Sequence, residues 1–228
     1  MKLINKIMKK MKKTIKQSIY TFLLICTTLV FTGCDLEVQE SFVFDPQTKP
    51  QFTFGATTPW EWLQTNPKGE YSYMIKAIKH AGLEAEFSNT TDKRTYFLLK
   101  DSGWSDASKV NTVLNREFGS QTILIEDTDP VKLRNILMYY ILPVYVDQGP
   151  GNLKTLDAFY EFKTLSSDPG NTYLTLDRDW NYSIGINYAP GLSPNALGTR
   201  CKLHNYIFSN GNSVAHIIET HTRLEIFK

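Results

Sequence analysis

The stretch Ser209-Asn-Gly-Asn-Ser-Val-Ala-His-Ile-Ile-Glu219 joins a turn signal to an apolar strand pattern. Asn and Gly favour turns because both adopt left-handed backbone conformations easily. The residues from Val214 to Ile218 are mostly apolar and β-branched, which is typical of a buried strand. Val214, His216 and Ile218 alternate along it, so we expect their side chains to share the inward face. The stretch therefore predicts a turn that leads into a strand with a buried histidine.

Strand-like runs separated by turn signals lie on the N-terminal and C-terminal sides of this stretch. From residue 144 onward they are short and rich in β-branched or aromatic residues, and Pro, Gly, Asn or Asp separates them. Two more apolar runs occur before residue 144. The predicted strands cover residues 93–99, 121–125, 159–164, 173–176, 182–186, 202–208, 214–218 and 224–227.

Helical periodicity dominates the first half of the same region. The pattern predicts helices over residues 70–81, 106–118 and 130–142, with N-caps at Ser105 and Asp129 and helix-ending glycines at Gly82 and Gly119. Pro130 stands at the first helical position of the third helix, where proline is favoured. Helices followed by strands predict an α+β domain whose antiparallel sheets carry helices packed at one side.

Three local motifs follow one another in an order that is typical of one protein family. Arg94-Thr-Tyr-Phe-Leu-Leu-Lys-Asp-Ser-Gly-Trp104 is similar to T-x-F-A-P-T-D-x-A-F, with other residues at the Ala, Pro and Thr positions. Leu133-Arg-Asn-Ile-Leu-Met-Tyr-Tyr-Ile-Leu-Pro143 is similar to L-x-x-L-L-x-Y-H-I-V-P, with Tyr140 in place of the usual His. The opening stretch is similar to S-N-G-x-I-H-V-I-D, with two extra residues after Gly211. Together the motifs resemble the fasciclin-like domain family from about residue 60 to residue 228.

The resemblance implies a fold and a broad role. Fasciclin-like domains form a β-sandwich or wedge with helices, and they are associated with adhesion and binding at cell surfaces. The motifs imply structural roles for Tyr139, Tyr140, Asn210, Gly211 and His216, and His216 is expected to bond to backbone near the first motif. The family's Tyr-His region is a proposed interaction site. Tyr140 also lies on an apolar helix face, however, where we expect it to pack in the core.

The first 33 residues have the pattern of a lipoprotein signal peptide. Seven lysines and no acidic residue precede an apolar run over residues 19–31, which is shorter than the roughly 20 residues that span a bilayer. Thr32 and Gly33 resemble the end of a bacterial lipobox before Cys34, whose thiol would then carry the lipid. An ordinary signal peptide or an uncleaved anchor is the alternative. Lipidation of Cys34 would attach the protein to a membrane without a transmembrane helix.

The rest of the chain is expected to consist of a tether and one domain. Residues 34–57 are acidic and proline-containing without a helical period, which predicts a flexible tether, and residues 58–228 are expected to form the fasciclin-like domain. The acidic residues after Cys34 resemble tracts used for surface export, although Asp directly after the cysteine signals inner-membrane retention in other bacteria. The predicted localisation is the cell envelope, at the outer membrane or the cell surface.

Removing the signal peptide changes the charge balance. The full chain has 25 basic and 23 acidic residues, whereas the part from residue 34 keeps 18 basic and all 23 acidic residues, a formal net charge of −5. Because nucleic-acid binding depends on clustered Lys and Arg, we expect no nucleic-acid partner. With Cys34 lipidated, Cys201 has no partner for an intramolecular disulfide.

A tryptophan-containing turn is the candidate ligand-binding site. Trp180 lies in a turn between two predicted strands, near a loop over residues 188–195, and such loops often carry binding residues. Its indole can stack on a sugar ring, or it can simply cover the end of the sandwich. Trp60 and Trp62 are expected to dock the tether onto the domain. The candidate ligand-binding residues are Asp179, Trp180, Asn181, Tyr182 and Tyr188.

Signatures of catalysis and of metal or cofactor binding are missing from the sequence. The nearest pair for glycoside hydrolysis is Asp177 with Asp179, and the nearest alternative is the acidic group at residues 126, 127 and 129. Both groups lie in turn-like sequence, where Asp usually makes local hydrogen bonds. We therefore expect no catalytic residue, metal or cofactor.

Two hypotheses about function remain. One is a lipid-anchored adhesion or binding protein that serves as an accessory glycan-binding protein of an outer-membrane polysaccharide-uptake system. The other is a structural or accessory subunit that contacts a membrane protein partner and binds no small ligand. A hydrolase is a remote third possibility.

Overall fold

The chain divides into two compact units, residues 1–45 and 46–228. The computed structural model describes residues 8–20, 51–66, 69–192, 196–223 and 227. In the first unit, residues 8–20 form a helix, α1, whose side chains are exposed. None of the helices in the described ranges has the length and apolarity needed to cross a bilayer. Cys34, most of the apolar run before it and most of the predicted tether lie outside the described residues.

Helices of the second unit occur mainly in its first half. They are α2 (Pro59–Thr65), α3 (Ser72–His80), α4 (Glu84–Phe87), α5 (Asp101–Trp104), α6 (Val113–Phe118) and α7 (Pro130–Tyr139), with 3-10 turns at Ile125–Asp127 and Ser209–Gly211. Asp129 caps α7 as predicted, because its carboxylate accepts hydrogen bonds from the amides of Val131 and Lys132. Gly82 and Gly119 have φ values of +62° and +77° beyond α3 and α6, which confirms the predicted helix ends.

The described strands form two sheets. They are β1 (Gln51–Thr53), β2 (Arg94–Leu99), β3 (Ile141–Leu142), β4 (Tyr160–Lys163), β5 (Tyr173–Arg178), β6 (Ile184–Ile186), β7 (Thr199–Arg200), β8 (Asn205–Phe208) and β9 (Ser213–Ile218). The first sheet has the order β1-β8-β9-β2-β3 and the second has the order β4-β5-β6-β7. Two sheets with accompanying helices confirm the predicted α+β class.

Strand β9, from the stretch quoted first, is the centre of the five-stranded sheet. It pairs antiparallel with β8 and parallel with β2, and all six of its residues are buried. A strand covered on both faces carries a continuous apolar run, which explains Val-Ala before and Ile-Ile after His216.

Four predictions about local structure and pairing are wrong. The third helix ends at Tyr139 rather than at residue 142, and Ile141–Leu142 form strand β3 of the first sheet. Residues 106–112 form turns instead of the first part of a helix, because Asp106 accepts hydrogen bonds from the amide and hydroxyl of Ser108. Residues 121–125 contain no strand and lead into a 3-10 turn. The first sheet is mixed rather than antiparallel, since β1 pairs parallel with β8 and β2 pairs parallel with β9.

The ordered fold includes residues that the sequence assigned to the tether. Residues 51–53 form β1, so the sheet starts before the predicted boundary at residue 57. The next element, α2, begins with a capping box in which the Thr58 hydroxyl accepts from the Glu61 amide and the Glu61 carboxylate accepts from the Thr58 amide. Trp60 and Trp62, the residues expected to dock the tether, lie in α2 and pack partly buried against the core.

One continuous core joins the helices to both sheets, and its largest fully buried apolar side chains include Trp104, Tyr96, Tyr139, Phe87 and Phe97. Cys201 belongs to this core as a buried free thiol, and burial raises the pKa of its thiol above the usual range. A buried neutral thiol behaves as a small apolar side chain. We therefore assign Cys201 a packing role.

His216 connects the central strand to the segment after β3. Its Nε2 lies 2.8 Å from the carbonyl oxygen of Val146. Thr95, from the first motif, holds the same segment: its hydroxyl donates to the Val144 carbonyl and accepts from the Val146 amide, at 2.6 and 2.8 Å. His216 is completely buried, and burial lowers the pKa of its imidazole to about 4. The side chain is thus neutral in the folded protein near pH 7.

Acidification is expected to destabilise the fold through His216. The unfolded state takes up a proton near the ordinary imidazole pKa, whereas the folded state resists protonation until about pH 4. Stability is therefore lost as the pH falls between these values, and His216 contributes about 2 kcal/mol of loss between pH 7.5 and pH 5. Urea denaturation at both pH values measures the change. Between the two pH values, a His216→Gln variant should lose about 2 kcal/mol less stability than the parent chain. An equal loss of stability in the variant and in the parent chain would contradict the role of His216.

Candidate functional site

The turn between β5 and β6 is closed by one carboxylate. Asp179 Oδ1 accepts hydrogen bonds from the amides of Asn181 and Ser183, each at 2.9 Å. The Tyr182 amide donates to the Asp179 carbonyl at 2.9 Å. Tyr182 has a φ of +62°, the left-handed conformation that completes a three-residue hairpin loop. These bonds fix the loop that carries Trp180.

Trp180 lies at the tip of this turn, and 74% of its surface is exposed. It therefore does not cover the end of the sheet, which was the alternative reading of the sequence. A large aromatic side chain on a closed loop presents contact area at a low cost in conformational entropy. This exposure makes the turn a candidate contact site.

Arg200 of β7 brings two of the predicted site residues together. Its guanidinium forms ion pairs with Asp177 at 3.1 Å and with Asp179 at 3.4 Å. The same group lies 4.8 Å from the centroid of the Tyr188 ring. Asp179 and Tyr188, which come from different loops, are thus joined through one cation that the sequence did not indicate.

The Tyr188 ring requires a glycine beneath it. A Cβ placed on Gly185 would lie 2.8 Å from a ring carbon of Tyr188 and 2.3 Å from Asp177 Oδ1. Because β6 pairs Gly185 with Asp177 of β5 and with Arg200 of β7, all these groups occupy one face of the second sheet. Only a residue without a side chain leaves room for this arrangement.

Asp177 is the buried member of the cluster. Its side chain is 3% exposed, and its Oδ1 has no hydrogen-bond partner among the described residues. Burial raises the pKa of this carboxyl, and Arg200 opposes that shift. Asp177 and Asp179, the nearest pair for a hydrolase, share one arginine here instead of facing each other across a cleft.

Tyr182 lies apart from this cluster. Its ring is 5.2 Å from the guanidinium of Arg178, which follows Asp177 on β5 and therefore points to the opposite face of the sheet. Arg178 is buried and donates to the carbonyl groups of Leu153 and Lys154 at 3.0 and 3.3 Å. The predicted residues consequently divide into an outer group around Arg200 and a packing group around Arg178.

Tyr140, from the second motif, belongs to a buried hydrogen-bond network. Its hydroxyl lies 2.8 Å from His221 Nδ1 and accepts from the Thr222 amide at 3.0 Å. His221 Nε2 lies 3.0 Å from Glu117, whose second oxygen accepts from the Phe227 amide at 2.8 Å. A neutral imidazole with its proton on Nε2 satisfies all these partners. The second motif thus has a structural role, and burial raises the pKa of Tyr140.

Tyr139 and the Ser-Asn-Gly turn also hold elements together. The buried Tyr139 hydroxyl accepts from the side-chain amide of Asn187 at 3.2 Å. Asn210 and Gly211 have φ values of +53° and +87°, and the Asn210 amide donates to the carbonyl of Gly55 at 2.7 Å. The turn therefore fastens the segment after β1 to the sheet, and Asn and Gly suit its left-handed backbone.

Two residues that hold the site together, Arg200 and Gly185, were not predicted from the sequence. Arg200 and Gly185 gave no local signal, because their roles arise only when β5, β6 and β7 pair. Asp177 was noticed as a carboxylate, but its burial follows from the same pairing. Within the described part of the chain, no group of three or more His, Cys, Asp or Glu side chains is placed to hold a metal ion.

The fold is similar to that of a solved structure, a FAS1 domain pair from the insect cell adhesion molecule fasciclin I. The match has a TM-score of 0.50 and 16% sequence identity, and it covers 75% of this chain and 52% of that chain. The protein thus spans about half the length of that two-domain chain. At this identity the likeness concerns the fold alone, and it confirms the fasciclin-like fold. No protein-family model matches the chain, and no curated protein matches it.

Proposed function

We propose that this protein is a lipid-anchored binding and adhesion protein of the cell envelope, which holds polysaccharide at the Trp180 hairpin. The observation that carries the proposal is the 74% exposed indole on a loop closed by Asp179. A similar fold occurs in an insect cell adhesion molecule, which supports a binding role. In the cell, the protein would act as an accessory to an outer-membrane polysaccharide-uptake system.

The chemistry of the hairpin suits a sugar polymer. The indole face is apolar and can stack on the C–H face of a pyranose ring. Arg200, whose side chain is 37% exposed, pairs with Asp179 of this turn, and its N–H groups can donate to sugar hydroxyls. An exposed hairpin tip can contact one part of a long chain without enclosing it, as an accessory protein requires.

Replacement of Trp180 is expected to weaken polysaccharide retention. In affinity gel electrophoresis of the full chain in detergent, with a panel of embedded polysaccharides, the parent protein should be retarded by at least one of them. Trp180→Ala should reduce the association constant about ten-fold or more, since stacked aromatic residues dominate such contacts. The free energy of unfolding should change by less than about 0.5 kcal/mol, because the side chain is exposed.

Leu124→Ala is the matched control, because it removes an exposed apolar side chain from another part of the surface. Its retardation should equal that of the parent chain. Absence of retardation on every polysaccharide, or equal retardation of Trp180→Ala and the parent chain, would refute the glycan proposal for the hairpin.

Anchoring is tested separately at Cys34. A Cys34→Ser variant cannot form the thioether to a lipid, so we expect it to shift from the membrane fraction to the soluble fraction and to lose labelling by radioactive palmitate. Cys201→Ser, which removes the buried thiol, should leave labelling unchanged. Labelling that persists in Cys34→Ser would contradict lipidation at this residue.

A second candidate function is an accessory subunit that contacts a membrane protein partner. Val110, Leu124 and Val131 are 59–65% exposed and belong to the segment around α6 and α7, away from the hairpin in sequence. Exposed aliphatic side chains contribute to protein contact surfaces. Crosslinking in native membranes distinguishes the two functions. This candidate is favoured if the parent chain crosslinks to a membrane protein but is not retained by any glycan. The crosslink should then disappear when Val110, Leu124 and Val131 are all replaced by alanine.

A further inference from the structure

A cavity of about 560 Å³ lies at the carboxyl ends of two strands of the first sheet, away from the Trp180 hairpin. Because β2 and β9 are parallel, their carboxyl ends meet at the same edge, where Lys100 and Glu219 are the next residues. Trp62 of α2 and Tyr206 of β8 form part of the wall. The volume is within the range of small-molecule sites, roughly 300–1,000 Å³.

Four charged side chains of the cavity form an alternating chain. Lys100 Nζ lies 3.1 Å from Glu70 and 3.3 Å from Glu219, and Lys202 Nζ lies 2.9 Å from Glu219. The two ammonium groups balance the two carboxylates. Lys202, and to a smaller extent Lys100, holds the pKa of the Glu219 carboxyl below its usual range. Glu219 therefore stays ionised and accepts hydrogen bonds at neutral pH.

Aromatic rings complete the cavity beside this charged chain. The centroid of Trp62 lies 5.5 Å from that of Tyr206 and 5.4 Å from that of Tyr71. His204 also lines the cavity, and its buried Nδ1 has no hydrogen-bond partner among the described residues. Aromatic rings, balanced charges and a buried ring nitrogen without a partner among the described residues occur together.

We propose that this cavity is a second binding site, which takes a single sugar ring. Each hydroxyl of a sugar both donates and accepts, so neighbouring hydroxyls can donate to Glu70 or Glu219 and accept from Lys100 or Lys202. The C–H face of the ring can contact Trp62 or Tyr206. A charged ligand gains little net attraction, because the four groups already neutralise each other. Sugar binding at this cavity does not depend on whether the hairpin binds polysaccharide.

The test is a titration of the full chain in detergent with neutral hexoses, hexosamine derivatives acetylated on nitrogen, and matched disaccharides. Saturation-transfer NMR detects binding, and calorimetry measures the association constant. We expect saturable binding of at least one neutral sugar. Glu219→Ala and Lys202→Ala should each weaken it about ten-fold, the effect of losing one charge-assisted hydrogen bond. Equal binding of a monosaccharide and its disaccharide identifies a free single sugar as the ligand. Tighter binding of the disaccharide identifies the terminal ring of a sugar chain as the ligand.

Two controls separate this site from the proposed function. Glu126→Ala removes an exposed carboxylate that pairs with Lys76, and it should leave sugar binding unchanged. Trp180→Ala should also leave monosaccharide binding unchanged, even if it weakens polysaccharide retention. The proposal is overturned if no sugar binds, if Glu219→Ala binds as well as the parent chain, if Trp180→Ala abolishes monosaccharide binding, or if acetate or glycine binds and neutral sugars do not.

Discussion

The Glu117→Ala variant is expected to have a free energy of unfolding about 3–5 kcal/mol lower than that of the parent chain. The Glu117 side chain is completely buried, and its two oxygens accept from His221 Nε2 and from the Phe227 amide. Removing the carboxylate leaves both donors unpaired inside the protein and creates a cavity. Denaturation in urea, followed by far-UV circular dichroism, measures the loss.

Two other variants show whether the hydrogen bonds cause this loss. Glu117→Gln keeps the size of the side chain and can still accept from the Phe227 amide, so its destabilisation should lie between those of the parent chain and Glu117→Ala. Glu126→Ala removes a carboxylate that is 54% exposed, and it should cost less than about 0.5 kcal/mol. Equal losses in Glu117→Ala and Glu126→Ala would contradict the network.

Tyr140→Phe is expected to lower the free energy of unfolding by about 2–4 kcal/mol. The substitution keeps the ring in the core but removes the hydroxyl that contacts His221 Nδ1 and accepts from the amide and hydroxyl of Thr222. The Thr222 amide and His221 Nδ1 then lose this partner inside the protein. Chemical denaturation measures the effect, and the m-value should stay the same because the surface exposed on unfolding does not change.

Tyr173→Phe provides the matched control for Tyr140→Phe. Its side chain is 50% exposed on β5, so loss of its hydroxyl should change the stability by less than about 0.5 kcal/mol. Because Tyr140 and Glu117 both contact His221, the double variant should lose less than the sum of the single losses. Additive losses, or a stable Tyr140→Phe variant, would show that the hydroxyl does not connect these residues.

Local signals in the sequence predicted the C-terminal ends of α3 and α6, the start of α7 and most of the described strands. Asp129 and Pro130 start a helix, and Gly82 and Gly119 end helices, through interactions that involve only neighbouring residues. Competing local bonds caused the error at residues 106–112, where Asp106 binds Ser108 and the Gln121 side chain binds the Asp106 amide. Helix α2 was missed although Thr58 and Glu61 have the spacing of a capping box.

The positions of the site residues depend on contacts between residues that lie far apart in the sequence, so local sequence patterns do not predict them. The position of Trp180 in a turn was visible, but its exposure depends on how the whole sheet ends. Arg200 meets Asp177 only because β6 lies between their strands. Likewise, Lys100 and Glu219 meet because β2 and β9 are parallel, and short apolar runs do not reveal the direction of pairing.

The strand order of the first sheet has a consequence for how the protein matures. Its central strand, β9, is the last of the described strands, and its partner β2 lies about 120 residues earlier. The ribosome makes β2 long before β9, so the five-stranded sheet cannot form until β9 has been made. Pairing across such separations is slow, because a long loop must close before any contact compensates for the lost entropy. A nascent chain therefore lacks the middle strand of the five-stranded sheet until β9 has left the ribosome, and the edges of β2 and β8 that pair with it stay uncovered until then.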